Sequence, residues 1–524
     1  MIIQKDNRTE DIMSSSTICI LIAIIIYMAA IIWIGIKFSR QNKDTDDFYL
    51  GGRKLGPFVT AMSAEASDMS SWLLMGLPGV ALASGLAEPV WTAVGLAIGT
   101  YLNWLIVAKR LRIYTYTAGN ASTVPAFFSN RYRDDKRILS VIAAIVIVIF
   151  FVPYTASGFA ACGKLFNTLF GINYQTAMVI SALVIVAYTA LGGFLAASTS
   201  DFIQSIVMTI AIFVVVIFGI TSVGGLDAVI KNATEMTGYF SLTEVYDSAT
   251  GGSSSYSILT IASLLAWGLG YFGMPHILLR FMAIEDAGKI KLSRRIATVW
   301  VVISMGVSIF IGVAGNAMVK HGVIKGLEDS ERIIVNIAML ISEHSVIAAL
   351  IAGVILPGIL AATMSTADSQ LLAASSSVSQ NIVKEVVVKN LNDKASMIIA
   401  RITLLIIAGI AMVIAWNPES SVFNIVSFAW AGFGAAFGPV MLTSLFWKRS
   451  NKYGALAGML SGGIMVFVWK YCISPMGGAW AIYELLPAFV VSLVFIIVVS
   501  LLTQAPDQEI QKEFDSVALK MKEY

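Results

Sequence analysis

Thr60-Ala-Met-Ser-Ala-Glu-Ala-Ser-Asp-Met-Ser-Ser71, continued by Trp72-Leu-Leu-Met-Gly-Leu-Pro-Gly79, is the stretch on which the reading of this chain turns. It lies within an apolar run long enough to cross a bilayer, yet it carries Glu65, Asp68, four serines and the helix breaker Gly76-Leu-Pro-Gly79. In hydrocarbon every backbone polar group must be satisfied internally, so breaking sequence at membrane depth is tolerated mainly where it lines a cavity or a site. A carboxylate near the bilayer centre costs roughly 2.5–3.5 kcal/mol on insertion scales, which makes Asp68 a functional hypothesis by default.

The surroundings are those of a membrane protein. Of 524 residues, 57% are hydrophobic and 13% charged, a balance no water-soluble domain of this size buries around ordinary cores. Apolar runs recur from Thr17 to Leu502, and breaks between them predict an all-α polytopic protein with thirteen transmembrane helices. The spans fall at 17–36, 56–83, 90–108, 138–162, 175–194, 202–223, 256–279, 297–318, 345–372, 396–415, 421–447, 453–471 and 483–503. The first run exceeds a signal-peptide core and reads as a retained span. Lys37, Arg40, Lys43, Arg53 and Lys54 follow it and only Lys5 and Arg8 precede it, so the N-terminus is expected outside and the C-terminus in the cytoplasm. With that orientation, 27 of the 35 lysines and arginines fall on the inside, as a multi-pass protein of the plasma (inner) membrane requires. The lipid bilayer is the main solvent. A net charge of +3 suggests no nucleic-acid partner, and no obligate protein partner is evident. Cys19, Cys162 and Cys472 lie in or beside apolar runs without metal-ligand spacing and read as packing residues.

A second break lies in the seventh span, Trp267-Gly-Leu-Gly-Tyr-Phe-Gly-Met-Pro-His276. The two broken spans are five apart, an odd offset that runs them in opposite directions, which is the footprint of an inverted-topology repeat of spans 2–6 against 7–11. The chain then divides into residues 1–54 (accessory span 1 and an inner loop), 55–223 (first repeat), 224–255 (outer loop), 256–447 (second repeat) and 448–524 (accessory spans 12 and 13 with the tail). The Ser/Gly/Thr run from Ser248 to Ser255 predicts a flexible loop. Glu331 to Ile341 reads as a short amphipathic helix on the outer surface, a candidate lid. The glycines Gly432, Gly434 and Gly438 of span 11 read as close helix packing.

Besides Glu65 and Asp68, Asp201 opens span 6 and Asp368 lies in span 9 within Met364-Ser-Thr-Ala-Asp-Ser369. A hard monovalent cation is satisfied by hydroxyls, carboxylates and freed carbonyls together, and no His or Cys cluster competes with them. Ser365 and Ser369 share a helical face with Thr366 beside them. Asp201 is equally compatible with a helix N-cap, Asp368 with a solvated vestibule group, and Glu65 with a protonated packing residue, an ion-pair partner or a coupling site. Trp267 and Tyr271, at i and i+4, can give a flat apolar wall to a small ring, and free N–H groups at a half-helix start can meet a carboxylate.

These blocks carry a resemblance. The chain resembles the solute:sodium symporter family, and within it the bacterial sodium/proline symporters, from Asp47-Phe-Tyr-Leu-Gly-Gly-Arg53 to Leu485. The matching blocks are Ser67 to Gly79, Trp267 to His276, Met364 to Thr366 and Ser427 to Pro439. The resemblance implies a leucine-transporter-like inverted five-helix repeat and sodium-coupled uptake of L-proline, with Na+ as the coupling ion and no organic cofactor. It implies a sodium site at the carbonyls of Ala66, Met69 and Ala362 and the hydroxyls of Ser365 and Thr366, with Asp68 essential nearby. Asp201 and Ser369 match a second ion site of some relatives. Tyr154, Trp267, Gly268, Tyr271 and Pro275 match the proline pocket, Ser70 a position influencing affinity, and Arg53 a position important for coupling. Glu65 and Ser71 depart from the family pattern next to the ion region. Rival readings are a sodium- or proton-coupled symporter of another small amino acid, betaine or monocarboxylate, or a membrane nutrient sensor. An enzyme is not expected, because no His–Ser–Asp or metal constellation accompanies the acids.

Overall fold

A computed structural model describes residues 15–39, 45–325, 327–388, 392–419 and 421–523. Lys5, Arg8, Arg40 and Lys43, on which the placement of the N-terminus rests, lie outside the described residues. In chain order the helices that frame the molecule begin with α1 (Ser15–Ser39), α2 (Pro57–Ser71), α3 (Leu77–Ser84), α4 (Ala87–Thr117), α5 (Ile138–Phe170) and α6 (Tyr174–Ser222). They continue with α7 (Ile258–Leu265), α8 (Pro275–Ala283), α9 (Ile290–Lys320), α10 (Ile333–Ser342) and α11 (Val346–Ser376). The last five are α12 (Asp393–Ile414), α13 (Val422–Phe446), α14 (Lys452–Val468), α15 (Leu485–Leu502) and α16 (Gln508–Glu523).

Among the described residues ten helices are long and apolar enough to cross a membrane, or eleven when the bent pair Ile258–Phe272 and Pro275–Ala283 counts as one span. The thirteen spans expected from the sequence exceed this for two physical reasons. The second expected span is divided between α2 and α3, and the fifth has only the short apolar helix Tyr174–Ala187. The exposed Ile25, Ile26, Val299, Ile406 and Val498 form the outward apolar faces that a bilayer solvates.

The breaks fall where tertiary bonds hold them. In α2 the backbone leaves the helix at Ser70 (φ 50°, ψ −170°), not at Gly76-Leu-Pro-Gly79. Ser70 Oγ accepts the Trp72 N–H at 3.0 Å, a donor it shares with the Met69 carbonyl. Pro78 is then harmless, since a five-residue π turn, Trp72–Gly76, precedes it and it enters α3 in the first turn, where no N–H is needed. In the seventh span Ala266–Phe272 is a 3₁₀ stretch, and α8 restarts with Pro275 at its first position after a 45° bend.

Other expectations change. No loop separates the fifth and sixth expected spans; α6 is two helical stretches joined at a kink, Gly193 (φ 68°, ψ −175°), a left-handed position suited to glycine. Asp201 lies eight residues past that kink, inside the second stretch, and caps nothing. The Ser/Gly/Thr run is not structureless. Strand β1 (Glu244–Tyr246) pairs antiparallel with β2 (Ser253–Ser255), and Asp247 organises the turn through Thr250 Oγ1 at 2.8 Å and the Ala249 N–H at 2.9 Å. The helix read as a surface lid, α10, is sunk into the bundle with Ile333, Ile334 and Ile337 buried. Gly432, Gly434 and Gly438 are packing glycines: an added Cβ would meet Phe150, Gly270 or Leu485, and Phe489 respectively.

Candidate functional site

Two groups of polar atoms meet at the break in α2. On its α11 side, the Ser365 hydroxyl donates to the Ala66 carbonyl at 2.8 Å and lies 3.2 Å from the Ala362 carbonyl, which also accepts from Thr366 Oγ1 at 3.1 Å. Ala66, Ala362, Ser365 and Thr366 are thus brought together by one hydroxyl that ties α2 to α11. The Met69 carbonyl, next along, accepts the Trp72 N–H across the break.

On the other side, Asp68 is held through two of its oxygens. Tyr271 Oη donates to Asp68 Oδ2 at 2.6 Å, and Tyr154 Oη donates to the Asp68 carbonyl at 3.0 Å. Asp68 Oδ1 is buried without a hydrogen-bond partner. Glu65 lies one turn earlier and accepts the Trp104 indole N–H on Oε1 at 3.0 Å, leaving Oε2 unpartnered. A carboxylate buried with a free oxygen is costly unless a cation or a proton meets it.

The aromatic wall stands opposite. Trp267 is buried, packed against both Trp72 (centroids 5.6 Å apart) and Phe423 (5.6 Å), and its carbonyl accepts the Trp430 indole N–H at 2.8 Å. Asn103 Nδ2 donates to the Tyr271 carbonyl at 2.9 Å, so the 3₁₀ stretch has its freed carbonyls met from α4 and α13. Asp68, Met69, Trp72, Tyr154, Trp267 and Trp430 enclose a cavity of about 10 Å³, the space of about one water, between the polar face of α2 and the indoles. Of the other residues expected in the pocket, Ser70 is the hinge itself and Pro275 opens α8. Gly268 serves close approach: its ideal Cβ would come 2.2 Å from the Gly95 carbonyl oxygen.

Asp201, Asp368 and Ser369 form a separate buried cluster around Arg280 of α8, which falls one residue past the seventh expected span, 256–279. Its Nη2 reaches Asp201 Oδ2 at 3.0 Å and Ser369 Oγ at 2.5 Å, and its Nε donates to Ser63 Oγ at 3.0 Å. Ser63 in turn donates to Asp201 at 2.7 Å, and Ser369 to Asp368 at 3.1 Å. Asp368 is fully buried and is not a solvated vestibule group. Arg53 sits farther along. It donates to the Met282 carbonyl at 2.6 Å, the Ala121 carbonyl at 2.8 Å and Asn120 Oδ1 at 3.1 Å, joining the chain ahead of α2 to the end of α8 and to the loop after α4.

A wide cavity of about 880 Å³ opens at the end of the bundle that carries α10, lined among others by Lys164, Asp329, Glu331 and Phe423. Glu331 is its organiser. It accepts from Lys164 Nζ at 2.7 Å, from Ser421 Oγ at 3.0 Å and from the first N–H groups of α13, Val422 and Phe423, both at 3.1 Å, a carboxylate set on a helix N-terminus. Phe423, on the first turn of α13, lines this wide cavity and also stacks on Trp72 (5.9 Å, 27°), one of the residues that line the small one. Lys164, Glu331 and Phe423 were not singled out from sequence for these roles; Lys164 falls just past the fourth expected span, 138–162, and only the longer helix α5, which runs to Phe170, buries it.

The geometry has known counterparts. Residues 48–462 match the family model of the sodium:solute symporter family. The chain is 40% identical over 488 residues to the osmoregulated proline transporter OpuE of Bacillus subtilis, covering 93% of this chain and 95% of that one. It is 41% identical over 497 residues to a sodium/proline symporter of Escherichia coli, covering 94% and 95%. Among solved structures, a Na+-coupled sialic acid symporter in a substrate-bound outward-open state superposes with TM-score 0.76 at 18% identity, covering 94% of this chain and 99% of that one. Mhp1, a nucleobase-cation-symport-1 family transporter, superposes in a closed conformation with TM-score 0.53 at 14% identity, covering 90% and 98%. With a family model matched over most of its length and relatives near 40% identity end to end, the chain belongs to the sodium:solute symporter family.

Proposed function

We propose that this protein is a multi-pass symporter that couples the inward movement of L-proline to that of sodium by alternating access. The relatives named for sodium and proline support the cargo and the ion. The observation that carries the mechanism is the Ser365 hydroxyl on the Ala66 carbonyl, at the break in α2 and two residues from Asp68. On sodium binding the Ser365 O–H would turn away from the Ala66 carbonyl and keep its proton, so that the carbonyls of Ala66, Met69 and Ala362 and the hydroxyl oxygens of Ser365 and Thr366 would hold the ion, with Asp68 balancing the charge. Asp201 and Ser369, with Glu65 on the far side of α2, are the candidates for any further ion. Proline lies against Tyr154 and Trp267, beside the strip Gly268, Tyr271 and Pro275 and the hinge Ser70. Arg53 transmits the change to the loop ahead of α2.

The architecture we propose is thirteen spans with the N-terminus outside and the C-terminus in the cytoplasm. Residues 55–223 and 256–447 form inverted repeats, 1–54 and 448–524 are accessory segments, and 224–255 is the outer loop. On this orientation the Glu331 cavity is the outer vestibule and Phe423 its floor. The protein needs no obligate partner chain and does no covalent chemistry. Sodium favours one conformation by joining α2 to α11, and that preference is what couples it to solute. By linkage proline then raises sodium affinity by the same factor.

Radiolabelled proline uptake in membrane vesicles with imposed ion gradients tests this. An inward sodium gradient drives accumulation in the wild type, and Asp68→Ala lowers it about a hundredfold, the size expected when a hydrogen-bonded buried charge is removed, about 3 kcal/mol. Sodium-independent uptake, or coupling retained by Asp68→Ala, overturns the mechanism.

A further inference from the structure

Trp267 is gripped on several sides, and its flattest contact comes from outside the helices that build the site. Trp72 and Phe423 lie at 5.6 Å and Trp430 at 6.4 Å, while the ring of Tyr483 stacks on it at 5.0 Å with the planes only 20° apart. Tyr483 belongs to the connection between α14 and α15, beyond the second proposed repeat. It is fixed in three ways. Its hydroxyl donates to the Ser427 carbonyl of α13 at 2.6 Å, and its backbone N–H donates to Ser263 Oγ of α7 at 2.7 Å. The preceding carbonyl, of Ile482, accepts the Trp469 indole N–H at 3.2 Å. A connection that only had to join two helices would not need bonds to α7 and α13 on either side of an aromatic stack.

We propose that Tyr483 is a positioning residue for solute recognition: it sets the angle of the Trp267 indole, so the segment between α14 and α15 takes part in choosing the ring size of the imino acid carried. Tyr483 does not line the cavity and acts through Trp267, on whose contact with proline this inference rests. The ring plane matters because a saturated five-membered ring packs against an aromatic face over its whole area, and a tilted indole presents an edge.

The test is proline uptake in proteoliposomes with saturating sodium, with KM and kcat determined separately for the wild type, Tyr483→Phe, Tyr483→Leu and Tyr483→Ala. Competition by four- and six-membered imino acids, azetidine-2-carboxylate and pipecolate, is read in parallel. Tyr483→Phe keeps the stack and stays within about twofold of wild-type KM. Tyr483→Ala raises KM on the order of tenfold, about 1.4 kcal/mol and the upper range for an aromatic pair, and narrows the preference among ring sizes, with kcat and sodium binding in the absence of proline unchanged. Tyr483→Leu, which refills the space without a flat ring, behaves like the alanine variant and carries the test if that variant fails to reach the membrane. An unchanged KM and ring-size preference in both, or equal losses in kcat and sodium binding, overturns the proposal while leaving sodium–proline symport in place. A wild type without sodium-driven proline uptake overturns the functional reading and this inference together.

Discussion

The two broken helices solve one problem in opposite ways. In α2 the interruption is a single left-handed residue, Ser70, with carboxylates and hydroxyls around it. In the seventh span it is the stretch Ala266–Phe272, followed by a 45° bend and lined by glycines and large rings. A short break frees a few carbonyls in a fixed cluster, which suits an ion that wants close oxygens. A long one spreads its freed groups and makes room for a ring. The halves at one end are nevertheless welded: the Leu55 N–H donates to the Ala283 carbonyl at 3.2 Å, Arg53 to the Met282 carbonyl at 2.6 Å, and Arg280 to Ser63 at 3.0 Å. The start of α2 and the end of α8 therefore act as one body, and the breaks allow the remaining halves to differ.

Cutting that weld has the largest expected effect. Arg280→Ala strips the guanidinium from Asp201, both fully buried, and leaves an uncompensated charge, a loss of about 3–5 kcal/mol. The expected outcome is a low yield in the membrane and a strongly lowered thermal midpoint in detergent. Arg280→Gln combined with Asp201→Asn replaces the ion pair by neutral hydrogen-bonding groups and recovers most of the stability. A single alanine variant as stable as the wild type would show that the Arg280 bonds are not needed to hold α2 and α8 together.

The difference between the breaks is probed next by Gly268→Ala. A methyl group there meets the Gly95 carbonyl oxygen at 2.2 Å and the Gly99 Cα at 3.2 Å, so α4 and the 3₁₀ stretch must separate, at about 1–3 kcal/mol. Because the strain lies wholly on the ring side, proline KM rises several-fold while sodium binding measured without proline holds at the wild-type value. Equal losses of both would mean that the two breaks are one unit.

Much of the site was legible because it was expensive. Asp68 stood out as a charge in an apolar run, and Ser365 as a hydroxyl face opposite it, and the structure brings the two segments within one hydrogen bond. Arg280 and Lys164 were hidden by the same arithmetic that oriented the spans, since counting charges along the chain cannot separate a flanking cation from a buried one. The break in α2 was expected at the acid, Asp68, and falls two residues on, at Ser70, whose hydroxyl accepts the Trp72 N–H, while the louder breaker Gly76-Leu-Pro-Gly79 stays helical. Asp201 resembled a cap only on the expectation of a loop, which Gly193 makes unnecessary. Phe423 and Tyr483 are two of the chain's many aromatics, and nothing in their spacing distinguishes them until α13 and the connection before α15 fold over Trp267.

The smallest effect, and the sharpest separation of the breaks, is expected from Ser365→Ala. Its hydroxyl donates to the Ala66 carbonyl in the structure and is also one of the oxygens proposed for sodium. Removing it takes one oxygen from the ion but also leaves the buried Ala66 carbonyl without that donor when sodium is absent, which raises the energy of the unloaded protein and offsets part of the loss. The net effect on sodium binding is about 1 kcal/mol, roughly a fivefold weakening. At saturating sodium the proline KM stays where it was, because Trp267 and Tyr271 make no bond to Ser365. Sodium binding read by equilibrium titration, with proline uptake at two sodium concentrations, checks both halves. A proline KM that shifts at saturating sodium would mean that the hydroxyl reaches the ring side, and the division of labour between the short break and the long one would have to be abandoned.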